Sequence, residues 1–98
     1  MIKHIVCWKL KDAENNEINL HEIKKKLLNL KELISEIKNI EVGINSKQAS
    51  VQNFDIVLIS EFENFNDLSI YQEHPAHKEA GSFIRKVTKD RAAIDFKY

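Results

Sequence analysis

The apolar residues of this chain repeat with two different periods, and the order of those periods restricts the fold more than any motif does. Along residues 2–10, Ile2, His4, Val6, Trp8 and Leu10 alternate with Lys3, Ile5, Cys7 and Lys9, which predicts a strand with one mainly apolar and one mixed face. After a polar connection over residues 11–17, Leu20, Ile23, Leu27, Leu30, Ile34 and Ile37 recur every three or four positions, with Leu28 and Leu33 widening the stripe. The spacing predicts a long helix ending at Asn39, with Asn19 as N-cap and Glu22 in the capping-box position. Residues 40–45 alternate again as a second strand. Residues 46–53 are polar and without period, which predicts an exposed, mobile hairpin loop. In the third strand Phe54, Ile56, Leu58, Ser60 and Phe62 alternate with Asp55, Val57, Ile59 and Glu61. Both of its faces are apolar at the middle, as suits an interior strand.

A short helix follows, capped by Asn64 or Asn66, and runs through Leu68, Ile70 and Tyr71. Pro75 fits the first position of a helix but not its interior, and it biases His74 away from helical angles. The helix is therefore expected to break and restart there, with Ala76, Ala80, Phe83, Ile84 and Val87 buried. A closing strand alternates Ala92, Ile94, Phe96 and Tyr98 against Arg91, Ala93, Asp95 and Lys97. The order strand, helix, strand, strand, helix, strand is the α+β, ferredoxin-like βαββαβ plan: an antiparallel four-stranded sheet with its helices on one face. Residues 1–98 form one domain. The other sheet face stays apolar and has nothing in the chain to cover it. A second copy is the physical solution, so we expect a homodimer joined through residues drawn from Val6, Trp8, Ile56, Leu58 and Ile94 or their alternating neighbours.

Composition narrows the partners. Fifteen basic residues balance fifteen acidic ones, so no overall field draws the protein to nucleic acid or to an anionic membrane. A single cysteine, Cys7, excludes an intrachain disulfide, and no apolar run is long enough for a signal core or a bilayer span. A cytoplasmic protein is expected.

Tyr71-Gln72-Glu73-His74-Pro75-Ala76-His77-Lys78 places a tyrosine and two of the four histidines around the only proline. With Met1-Ile2-Lys3-His4-Ile5-Val6, Glu41-Val42-Gly43-Ile44-Asn45, Ser60-Glu61-Phe62 and Ile94-Asp95-Phe96-Lys97-Tyr98, this segment resembles the stress-responsive A/B-barrel (Dabb) domain family over essentially the whole chain. The resemblance implies two ferredoxin-like protomers closed into an eight-stranded barrel. Plant members are associated with stress and defence, and many bacterial members have no assigned activity. One plant member is a polyketide cyclase working by aldol condensation. Its tyrosine–histidine acid/base pair falls on Tyr71 and His77, and its N-terminal pocket histidine on His4. A further pocket histidine of that enzyme falls on Ile56 here, which removes a polar group from the implied cavity.

His77 is thus the candidate general base, since an imidazole of ordinary pKa near 6.5 is mostly neutral at pH 7. Tyr71 would donate to a carbonyl oxygen, and His4 would line the substrate site. Equally, His77 would cap and pack a helix corner while Tyr71 hydrogen-bonds it, and His4 would be a satisfied core residue. His74 reads as an N-cap or turn residue, and His21 as surface. No histidine pair has zinc-enzyme spacing, no phosphate-binding glycine loop is present, and no paired base accompanies Cys7. No metal or cofactor is expected; the possible ligand is a small molecule. Similar dimeric barrels also serve as cofactor-free monooxygenases, for which no residue here speaks directly.

Overall fold

A computed structural model describes all of residues 1–98. Its elements are β1 (Ile2–Leu10), α1 (Asn16–Leu33), β2 (Asn39–Ile44), β3 (Ile56–Phe62), α2 (Phe65–Glu73), α3 (Pro75–Val87) and β4 (Thr88–Lys97). The strands lie in the order β2-β3-β1-β4, every neighbouring pair antiparallel. This is the ferredoxin-like arrangement that the period pattern predicts, with the predicted second helix divided in two.

Register assigns the faces, because residues paired across antiparallel strands project to the same side. One face carries Ile2, His4, Val6, Trp8 and Leu10 with Ile56, Leu58, Ser60 and Phe62, all buried beneath the helices. Ile23, Leu27 and Leu30 of α1 and Leu68, Tyr71, Ala80 and Ile84 of α2 and α3 complete this core. Each fully buried large side chain contributes roughly 1.5–3 kcal/mol relative to exposure. The opposite face carries Ile5, Cys7, Val57, Ile59, Ala92 and Ile94, with Gly43 across from Val57. Of the residues named for the dimer surface, Val6, Trp8, Ile56 and Leu58 therefore belong to the protomer's own core. Ile94, 60% exposed, and the alternating neighbours of the others form the open face. Period two separates two faces but cannot say which one meets the helices.

Helix ends depart from expectation for local reasons. Helix α1 starts at Asn16 rather than after Asn19, with Asn15 at the N-cap and its carbonyl accepting from the Asn19 amide. Glu22 pairs with Lys26 one turn on instead of closing a capping box. The helix stops at Leu33 because Ile34 is extended (φ −124°, ψ 106°), yet Ile34 and Ile37 remain buried. A turn closed by Ile37 N–H donating to the Ile34 carbonyl keeps them three apart, so the buried stripe outlives the helix. Leu28 and Leu33 face solvent instead of widening the stripe. Asn64 caps α2, its Oδ1 accepting from the Asp67 amide at 2.8 Å. Strand β4 begins at Thr88, directly after α3 and three residues earlier than the alternation suggests.

The β2–β3 connection is exposed, as its composition implies, and carries several side-chain hydrogen bonds. Lys9 Nζ reaches from the open face to donate to the Val51 and Asn53 carbonyls, and Asn53 Nδ2 donates to Asn45 Oδ1. Ser46 and Ser50 each accept from an amide two residues on. Removing the Lys9 ammonium should free this loop. In Lys9→Ala we expect amide exchange over residues 50–54 to accelerate several-fold while global stability changes by no more than about 1 kcal/mol. Unchanged exchange would show that the loop holds itself.

Candidate functional site

Pro75 generates the site. It has no N–H to continue α2, and His74 adopts extended angles (φ −65°, ψ 136°) between the two helices. His74 Nδ1 accepts from the Ala76 amide at 3.0 Å and caps α3. In an unbroken helix, residues six apart lie roughly 240° around the axis from each other. The break brings them together instead, with the Tyr71 and His77 rings 4.5 Å apart, centroid to centroid, and tilted by 59°.

Tyr71 is the centre of a ring cluster. It packs at 5.0 Å against Phe62 with the rings tilted by 50° and lies 6.1 Å from His4 in an edge-on arrangement, and His4 in turn meets Phe62 at 6.4 Å. His4 is 3% exposed but not unpaired, because its Nδ1 hydrogen-bonds Asp95 on the adjacent β4 strand. This bond to the carboxylate holds the His4 ring in one orientation. Ser60, fully buried on β3, donates its hydroxyl to the His4 carbonyl at 3.3 Å and fixes the same rung of the sheet.

His77 differs. Its Nδ1 is sealed from solvent and has no hydrogen-bond partner. Burial lowers its pKa; the Gln72 backbone opposes this without making an aligned hydrogen bond, and the charges of His4, Arg85 and Arg91 reinforce the lowering. His77 is therefore a neutral imidazole at pH 7. Burial pushes the Tyr71 phenol well above its usual range, with Arg91 pulling weakly the other way, so it remains a proton-bearing donor. A neutral imidazole against a protonated phenol can take a proton from one atom of a substrate while hydrogen-bonding another.

The sequence candidates His77, Tyr71 and His4 are thus brought together. His74 is the capping histidine, so the capping role considered for His77 belongs to its neighbour three residues earlier, and Tyr71 meets His77 by ring contact. Ile56 is buried against Trp8, two rungs of alternation away from His4. Four surface hollows are lined by none of His4, Tyr71 and His77, and ring-on-ring packing fills the space between Tyr71 and His77 where the resemblance implies a cavity. The largest, about 720 Å³, lies beside Cys7 and Phe54 on the other side of the sheet. No three His, Cys, Asp or Glu side chains converge as metal ligands, and no helix is long and apolar enough to cross a membrane. Asp95, Arg85 and Arg91 were not singled out from the sequence. Alternation put Asp95 and Arg91 on one side of the last strand, but only the β1–β4 register shows that side facing His4.

The family model for the stress responsive A/B barrel domain matches residues 2–98. A dimeric, ferredoxin-like protein of unknown function from Bacteroides fragilis is 34% identical, covering 99% of this chain and 95% of that one, with a TM-score of 0.89. A second dimeric ferredoxin-like protein, from Thermobifida fusca, is 26% identical over 99% of this chain and 90% of its own, with a TM-score of 0.86. A protein of Arabidopsis thaliana is 26% identical over 100% and 95% of the two chains, with a TM-score of 0.85. No functionally curated protein matches.

The lowered pKa of His77 has a consequence for stability. Below about pH 6.5 the unfolded chain binds a proton at this residue that the folded chain resists. His77 thus contributes stability above that pH, and the contribution is lost as pH falls toward its folded pKa. We expect the fall in Tm from pH 7.5 to 5 to be shallower in His77→Gln than in the parent protein. Parallel curves from calorimetry would show that His77 titrates as it does unfolded.

Proposed function

The chain belongs to the stress-responsive A/B barrel (Dabb) family, and on the geometry above we propose that it works as a homodimer whose His77–Tyr71 pair moves a proton on a small carbonyl compound. The observation that carries the chemistry is the buried, unpartnered Nδ1 of a neutral His77 held against Tyr71, whose hydroxyl makes no hydrogen bond within the chain. A buried polar atom left without a partner costs on the order of 1–3 kcal/mol, a cost that a bound substrate would remove.

In this role His77 takes the proton from the carbon beside the carbonyl. The C–H pair becomes the C=C of an enolate, and the charge arrives on oxygen, where the Tyr71 O–H donates. His77 then returns the proton to carbon, which is exchange, or to oxygen, which gives the enol. In an aldol closure the enolate carbon instead attacks a second carbonyl carbon, whose C=O π pair becomes an alkoxide that takes the proton from His77. His4, oriented by Asp95, presents a second polar edge to the same space. Entry requires the His77 ring to rotate off Tyr71, which its place in the first turn of α3 permits. The filled contact supports a second reading, a dimeric domain without catalysis in which these rings are only a helix corner.

Solvent-deuterium incorporation into a panel of small ketones, followed by NMR, separates the two. We expect exchange above buffer with the parent protein, reduced about 10²–10⁴-fold in His77→Ala, whose circular dichroism should be unchanged. A panel that shows no exchange above buffer, or exchange indifferent to His77, leaves the second reading.

The dimer is supported by the uncovered apolar face and by the dimeric relatives. Ile5, Ile59 and Ile94 form its middle, in register across three strands. We expect sedimentation of the parent protein as a dimer at micromolar concentration and of Ile59→Asp as a folded monomer, since a buried unpaired carboxylate on each copy would be opposed by its symmetry mate. A dimeric Ile59→Asp variant would place the interface elsewhere.

A further inference from the structure

We infer that the substrate carries a carboxylate beside its carbonyl group, and that Arg85 and Arg91 form the clamp that holds it. This rests on the proton-transfer role proposed above and adds the class of substrate. The chain has two arginines, and its other thirteen basic residues are lysines. Both arginines are exposed, and the charges of both reach His77 from different elements.

Arg85 approaches along α3. His77, Gly81 and Arg85 are spaced four apart and so lie on one side of the helix. Arg85 Nη1 lies only 3.1 Å from where a Cβ on Gly81 would stand, so the guanidinium folds back over the glycine towards His77. Arg91 approaches from the sheet. Register sets it across from Trp8, with Ala93 across from Val6 and Asp95 across from His4, all on the helix-side face. Arg91 thus stands two rungs of alternation from His4 and acts on the site from that distance through its long side chain. Asp90, adjacent in sequence, pairs with Lys9 and projects to the opposite face.

Neither arginine has a carboxylate partner, whereas seven of the lysines lie within ion-pair distance of one. The nearby carboxylate of Asp95 is engaged by His4. The fields of both arginines reach His77. In a chain of zero net charge, the site therefore holds a local excess of positive charge beside a neutral base. A guanidinium presents a planar donor fork that matches a carboxylate, which a lysine cannot do. Anchoring that group would set the carbon on the far side of the carbonyl against His77 and offset the charge that develops on the enolate oxygen.

The test uses 2-oxobutyrate and its methyl ester, which differ in the charge of one group. Binding is followed through the His77 ring resonances, and turnover through deuterium incorporation at C3. We expect the acid to be favoured at least about ten-fold in kcat/KM. Arg91→Gln or Arg85→Gln should remove most of that preference, the size of one charge-assisted hydrogen bond, while the ester is little affected. Arg91→Lys should restore only part of it. Gly81→Ala, a helix-favouring change, should weaken the acid several-fold by displacing Arg85, yet melt no lower than the parent protein. An ester handled as well as the acid, or arginine variants that lower both alike, overturns the clamp and leaves proton transfer standing. Arginine-dependent binding of the acid without C3 exchange keeps the clamp and removes the proton-transfer role. Neither probe binding nor exchanging overturns the clamp as well.

Discussion

The register of β1 between β3 and β4 is the constraint on which the rest depends. This strand is paired on both sides, and its alternate residues serve opposite faces: Ile2, Val6, Trp8 and Leu10 anchor the helices, while Ile5 and Cys7 face outward. A slip of one residue would exchange the two sets. It would also turn His4 away from Tyr71 and separate it from Asp95. The apolar burial that selects the register therefore also aligns the polar groups of the site, with no further device than the hydroxyl of Ser60 on the same rung of the neighbouring strand.

The second constraint is the break at Pro75. A proline at the start of a helix stabilises that helix and ends the preceding one, and His74 satisfies the amide end that the break creates. Tyr71 gains most from this corner, being packed on three rings while keeping a phenol that burial holds protonated. The cost falls on half-buried His77, whose Nδ1 is shielded from water without being given a partner.

Much of this was legible in the sequence because periodicity and proline chemistry are local. The βαββαβ order, the helix break and the approach of His77 to Tyr71 all follow from spacing within short segments. What was not legible is non-local. Which face of Val6 and Ile5 meets the helices depends on helices elsewhere in the chain. That Asp95 orients His4 depends on a pairing between residues 91 apart. The end of α1 was misplaced because Ile34 and Ile37 keep helical spacing while leaving the helix, so their burial carries no mark of the change. The filled contact between Tyr71 and His77 depends on rotamers, on which composition is silent. Ile56, where the resemblance implied a pocket histidine, instead completes the core beside Trp8.

Helix α3 passes into β4 without a loop: Val87 closes one and Thr88 opens the other, with the Thr88 hydroxyl bonded to the Ile84 carbonyl and the Lys11 amide to that of Val87. Tyr71, His77, Gly81, Arg85, Arg91 and Asp95 therefore sit on one short, uninterrupted stretch of chain, and the first three-fifths of the domain supply the site with little beyond His4. Such a layout makes the proposed chemistry modular. Exchange of one contiguous segment between relatives would transfer nearly the whole site to a new scaffold, while β1, α1, β2 and most of β3 evolve under the separate demands of folding and self-association.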